Sequence, residues 1–150
     1  MSTVACTPWA HDVASDGSDR QGVAGVLSPD ELRTSISTYV DAVNSRDPNA
    51  IAALFTEDAV QADPASNPPN IGRAAIAAFF EGSIGASDSW TFTAKAVHTC
   101  AANVAIDFRI DLVTGGAAMA IDGIEVFSVG DDGLFTSVYA YWDDADLTFA

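Results

Sequence analysis

The stretch Asn103-Val104-Ala105-Ile106-Asp107-Phe108-Arg109-Ile110-Asp111-Leu112-Val113-Thr114 decides the fold, because large apolar side chains return at every second position. A period of two places Phe108, Ile110 and Leu112 on one face of an extended strand and turns Arg109 and Asp111 to the other. Gly115-Gly116 follows, a pair suited to the positive φ angles of a tight hairpin, and the alternation resumes over 117–129. The same pattern predicts strands over 89–99 and 134–142, the latter reached through Gly130-Asp131-Asp132-Gly133.

Upstream of the strands the period changes to that of helices. Ser28-Pro29-Asp30-Glu31 combines an N-cap serine, a proline suited to the first helical position and a glutamate placed for a capping box. Leu32, Ile36, Tyr39, Val40 and Val43 then recur at helical spacing, so a helix is predicted to about Ser45 with Tyr39 on its buried stripe. Asp47-Pro48 repeats the start signal for a shorter second helix, with Ile51, Leu54 and Phe55 on its inner side. Val60 to Ala62 is a brief strand candidate, closed by Asp63-Pro64 and the turn-rich 66–70 segment. Arg73 to Glu81, with Ile76, Phe79 and Phe80 on one side, makes a third helix.

Helices gathered first and antiparallel strands gathered last specify an α+β domain rather than alternating βαβ units. Residues 1–27 show no sustained period and are expected to form a flexible N-terminal arm, leaving 28–150 as the domain. At 150 residues and 49% hydrophobic side chains, the chain can bury a core of its own. Its formal charge of −15 repels phosphate backbones and anionic lipid, so neither nucleic acid nor membrane is an expected partner. No run approaches the roughly 20 apolar residues of a membrane span, and the N-terminus lacks the pattern of a secretory signal. Cys6 and Cys100 stand far apart without metal-binding spacing, and His11 and His98 have no ligand-like neighbours. A cytoplasmic protein without a zinc site or a disulfide framework is the expectation.

Three residues carry the candidate chemistry. Glu125 is the lone charge in Gly123-Ile124-Glu125-Val126-Phe127, where apolar neighbours would strip its hydration and favour the protonated carboxyl. A neutral acid can donate a hydrogen bond. Tyr39 and Asp63 are further groups able to hold or move a proton. Each also has a purely structural alternative: Tyr39 as a core tyrosine, Asp63 as the start of a turn before Pro64, Glu125 on an exposed strand face.

The stretch from about Leu32 to Leu147 resembles the Δ5-3-ketosteroid isomerases, within the nuclear-transport-factor-like and polyketide-cyclase-like (SnoaL-like) cone superfamily. The resemblance is carried by Tyr39-Val40, by Leu54-Phe55-Thr56-Glu57-Asp58-Ala59, by Ala62-Asp63-Pro64, by Gly72-Arg73 with Ala77-Ala78-Phe79-Phe80, and by Ala140-Tyr141-Trp142. It implies a cone of three N-terminal helices packed on a curved, mostly antiparallel sheet around an apolar pocket, and a homodimer. It implies further that Asp63 is the general base moving a proton from carbon 4 to carbon 6 of a 3-oxo-Δ5-steroid or similar β,γ-unsaturated ketone. Tyr39 and protonated Glu125 would hold the dienolate oxygen between the two steps, with no cofactor. Phe55, Phe79, Phe80, Phe108 and Trp142 would line the pocket.

Two departures accompany the match. Glu125 stands where the family has aspartate, and Phe55 and Phe80 stand where it has supporting tyrosines. Three other functions stand beside this one, and a polyketide-cyclase-like enzyme of the same superfamily is the first. Arg109-Ile110-Asp111 is similar to the arginine–aspartate pair of limonene-epoxide-hydrolase-like members of the superfamily, although the third carboxylate aligns with Ala140 and the alternation turns Arg109 and Asp111 outward. A non-catalytic cone that binds a hydrophobic small molecule is the third.

Overall fold

A computed structural model describes residues 26–150, so the expected arm over 1–27 lies almost wholly outside the described residues. Helix α1 spans Pro29–Ser45, with the Ser28 hydroxyl accepting from the Glu31 amide and the Glu31 carboxylate accepting from the Ser28 amide. Leu32, Ile36, Tyr39 and Val43 form its buried stripe. Helix α2 is only Pro48–Ala52, capped by Asp47, whose carboxylate accepts from the Asn49 and Ala50 amides. Strand β1 then begins at Phe55 and runs to Ala62, earlier than the alternation had indicated. Phe55 is therefore a strand residue, not part of the second helix. Its carbonyl takes a hydrogen bond from Arg73, and its ring packs against Phe135 across the sheet.

The two-residue strand β2, Asn70–Ile71, pairs with β1, and α3 follows at Arg73–Ser83. Strands β3 (Ser89–Cys100), β4 (Asn103–Thr114), β5 (Ala117–Val129) and β6 (Phe135–Tyr141) form a meander, and β7 (Leu147–Phe149) returns to pair with the start of β5. The sheet runs β2-β1-β6-β5-β4-β3 and is antiparallel throughout except where β1 lies parallel to β6. At the β4–β5 hairpin, Gly115 and Gly116 have φ of 58° and 81°, with Thr114 paired to Ala117, as a two-residue turn of the primed type requires. Register shifts in β3 between Ala94 and Ala96, and in the β5–β6 pairing at Ser128–Val129, are bulges that bend the sheet.

The bent sheet folds over α1 and α3. Val104, Ile106, Phe108, Ile110 and Leu112 all face the helices and are buried, as the period of two predicts. The other face of β4 carries Arg109, whose guanidinium reaches Asp111 at 3.1 Å and Asp122 at 2.7 Å, while Lys95 contacts Asp107 and Asp122 at 3.0 and 2.9 Å. This is an ion-pair network on the outer surface. The arrangement is an α+β cone with the core between helices and sheet, and no described helix is long and apolar enough to cross a membrane.

Candidate active site

The register of the sheet explains how three residues distant in sequence meet. Glu125 on β5 faces Ala140 on β6, while the parallel pairing of β1 with β6 sets Ala62 beside Tyr139. The residue just past β1, Asp63, therefore arrives beside Ala140 from the other side, and the Ala65 amide donates to the Ala140 carbonyl at 2.6 Å. A small side chain thus separates two carboxyl groups. Tyr39 reaches the same place from α1.

These three groups line one cavity of about 450 Å³, bounded by α1, α3 and the concave face of the sheet. Its volume falls in the range of small-molecule sites, and its walls are largely apolar. The Tyr39 hydroxyl donates to Glu125 Oε1 at 3.5 Å, a long contact, whereas Glu125 Oε2 is buried with no hydrogen-bond partner among the described residues. Burial, reinforced by the nearby Asp63 charge, holds the Glu125 carboxyl well above the ordinary carboxylate range, against a smaller opposing effect of the Tyr39 hydroxyl. Burial and then the neighbouring Glu125 and Asp63 charges push the Tyr39 phenol up as well. Both groups are favoured in their neutral, hydrogen-bond-donating forms.

Asp63 has a different environment. Burial raises its carboxyl, but the Trp142 indole donates to Oδ1 at 2.6 Å and opposes the rise. A partly desolvated carboxylate held by one donor retains a free oxygen, a suitable state for a base that must also give its proton back.

Tyr39 is fixed by packing. Phe55, Phe92, Phe127 and Phe135 meet its ring edge to face, with centroids 6.4, 5.8, 5.0 and 5.8 Å away. Phe55 accordingly supports Tyr39 from the core and does not line the cavity, which corrects its expected role in the wall. Phe108 is also corrected: it is 1% exposed and stacks on Phe92 at 5.5 Å, beneath the cavity wall. Phe79, Phe80 and Trp142 do line the cavity. Trp90, Phe92, Ile110, Leu112 and Ile121 complete its apolar walls, and sequence reasoning missed them in that role. Trp90 and Phe92 share one face of β3, so their alternation was a signal that could have found them.

Arg109 and Asp111 stand on the outer face and contribute nothing to this cavity, and the residue aligned with the third carboxylate is an alanine, Ala140. The residues of an epoxide-opening site are not assembled here. Among the described residues, no group of three or more His, Cys, Asp and Glu side chains is placed to hold a metal ion.

Comparison with known proteins bears on the family and the fold. A SnoaL-like domain profile matches residues 36–138. A steroid Δ-isomerase from Nocardioides simplex is 34% identical over 117 residues, covering 78% of this chain and 94% of that protein. Among solved structures, a Δ5-3-ketosteroid isomerase from Mycobacterium sp. superposes with a TM-score of 0.72 at 24% identity, over 80% of this chain and 98% of the other. The epoxide hydrolase/cyclase-like enzyme SalBIII, of pyran ring formation in the polyether salinomycin, gives 0.75 at 22% identity over 81% and 97%. At these identities the two structural likenesses establish the cone fold.

Proposed function

The chain belongs to the SnoaL-like domain family and is an isomerase, and from that premise we propose that it converts a 3-oxo-Δ5-steroid, or a similar β,γ-unsaturated ketone, to the conjugated Δ4 isomer. The observation that carries this reading is the convergence of Tyr39, Asp63 and Glu125 on one apolar cavity, with two groups held neutral and one carboxylate between them and the indole of Trp142.

Asp63 removes a proton from carbon 4, beside the carbonyl. The electron pair moves through the carbonyl to its oxygen, leaving a dienolate. The Tyr39 hydroxyl and the Glu125 carboxyl, 3.5 Å apart, can both reach one oxygen at about 2.7 Å and stabilise the charge there. Protonated Asp63 then delivers its proton to carbon 6 as the double bond moves into conjugation. The base is regenerated and no external reagent is consumed. Glu125 is only 4% exposed, so the extra methylene relative to aspartate is accommodated without lifting its carboxyl out of the buried site. The same reading carries a homodimer formed through the outer face of the sheet.

The decisive experiment follows the ultraviolet absorbance of the conjugated enone when a 3-oxo-Δ5-steroid meets the purified protein, with Asp63→Asn alongside. Conversion that falls by about 10² to 10⁴ in the variant is the expected result. Wild-type rates in Asp63→Asn, or steroid bound without conversion, would overturn the mechanism.

A further inference from the structure

The edge of the sheet beside α1 is closed by a side chain. Strand β3 ends the sheet beyond β4, so one row of its backbone groups has no strand partner among the described residues. On that side Asn44 of α1 meets Phe92 at two points: the Phe92 amide donates to Asn44 Oδ1 at 2.7 Å, and Asn44 Nδ2 donates to the Phe92 carbonyl at 2.9 Å. These partners fix which way round the carboxamide sits, because a backbone amide only donates and a carbonyl only accepts. Asn44 thus bonds to β3 as a neighbouring strand would.

Phe92 is the residue through which this clamp reaches the cavity. Its ring lines the wall, meets Tyr39 edge to face with centroids 5.8 Å apart, and stacks on Phe108 at 5.5 Å. Tyr39 and Asn44 both belong to α1, about 7.5 Å apart along its axis at 1.5 Å per residue. Helix, clamped backbone, Phe92 ring and Tyr39 ring therefore form a closed circuit of contacts. Arg46, just past the helix, donates to the carbonyls of Ile84 at 2.7 Å, Asp88 at 3.3 Å and Ser87. The same end of α1 is thereby tied to the connection that leads into β3.

We propose that Asn44 is a positioning residue for the reaction: it sets how β3 lies against α1, and through the Phe92 ring it holds the Tyr39 hydroxyl in line with the substrate oxygen. A displaced hydroxyl loses part of its stabilisation of the charge that develops on that oxygen, whereas apolar walls tolerate a small shift in binding the substrate. Loss of the clamp therefore falls on kcat and spares KM. The assignment rests on the proposed oxyanion role of Tyr39.

Asn44→Leu, close in size and unable to form either bond, tests it beside Ser28→Ala, which removes the N-cap at the opposite end of α1 and weakens the helix without touching Phe92. With a 3-oxo-Δ5-steroid, Asn44→Leu should lower kcat about tenfold, a fraction of what loss of a whole oxyanion donor costs, and leave KM within about twofold. Asn44→Asp, which keeps the bond from the Phe92 amide and loses the other, should show a smaller loss. Ser28→Ala should change neither constant. A second readout needs no turnover: hydrogen bonds to the carbonyl of a bound 3-oxo-Δ4-steroid move its enone absorbance to longer wavelength, and this shift should shrink in Asn44→Leu at nearly unchanged affinity. Equal losses of kcat in Asn44→Leu and Ser28→Ala, or wild-type kcat and absorbance in both Asn44 variants, would reduce Asn44 to a structural tie and leave the isomerase reading standing. A shift that shrinks in Asn44→Leu of a protein that fails to isomerise would support the positioning role and overturn the proposed reaction. A steroid that binds the wild type with no shift at all would overturn both.

Discussion

Glu125 and Asp63 flank the same alanine, and the proposed mechanism gives them opposite work. Glu125 is buried deeply enough to favour its neutral form, so folding is coupled to its protonation. A carboxyl whose folded pKa lies above its unfolded value contributes stability that is fully present below the unfolded pKa and is lost as pH rises through the folded one. Denaturant unfolding across that window should therefore show the wild type weakening with rising pH relative to Glu125→Gln, which has no proton to lose. Parallel pH profiles in the two proteins would refute the neutral carboxyl. In turnover, Glu125→Gln keeps an amide donor, so its loss should be smaller than the roughly 10² to 10³ that accompanies removal of an oxyanion donor. Trp142 tests the other carboxyl. Its indole opposes the burial that raises Asp63, so Trp142→Phe should raise that pKa further. Because the base works ionised, the acid limb of kcat/KM against pH should move to higher pH. An unmoved limb would separate Trp142 from the control of Asp63.

At the scale of elements, β5 shows how one strand serves both packing and chemistry. Gly123, two residues before Glu125 on the same face, leaves room for the Phe108 ring: an added Cβ would stand 2.8 Å from Phe108 Cζ and 2.8 Å from the Tyr141 carbonyl oxygen. The second contact is backbone, so the strands themselves must shift. Gly123→Ala should cost about 1 to 3 kcal/mol in urea unfolding, and it should lower kcat by displacing Glu125. A variant as stable and active as the wild type would show that the β5–β6 pairing is more compliant than this packing implies. The meander was legible to within a residue or two because alternation, glycine turns and antiparallel pairing are all local signals. The start of β1 was not: Leu54 and Phe55 continue the helical spacing of Ile51, while Thr56, Glu57 and Asp58 hide the strand behind polar side chains. Strands β2 and β7, of two and three residues, exist through partners distant in sequence and leave almost no local pattern. The same distinction separates the site residues. Tyr39, Asp63 and Glu125 stood out by chemistry and by resemblance, whereas whether an aromatic ring faces the cavity or lies one layer beneath it depends on packing. Phe55 and Phe108 were misplaced for that reason.

For the whole molecule, charge and exposed apolar surface bear together on assembly. The face of β5 and β6 turned away from the cavity carries Ile124 opposite Tyr141 and Val126 opposite Tyr139, and Ile124 and Tyr141 remain 42% and 54% exposed. Beside this stripe, Lys95 and Arg109, two of the chain's six basic residues, are already paired with Asp107, Asp111 and Asp122. A second copy meeting this face would cover apolar side chains next to charges that are largely compensated. Away from it the chain is strongly acidic, and two copies of charge −15 repel each other across the rest of their surfaces. Association through the outer face should therefore tighten as salt rises from about 10 to 150 mM, where the screening length shrinks from about 30 to 8 Å. A dimer held mainly by intermolecular ion pairs would loosen instead. Sedimentation equilibrium at the two salt concentrations distinguishes these cases. Tyr141→Asp places a carboxylate in the stripe and should shift the equilibrium to monomer while leaving the cavity, on the opposite face, able to bind steroid. A wild type that sediments as a monomer at every concentration and salt would remove the outer face as a dimer surface.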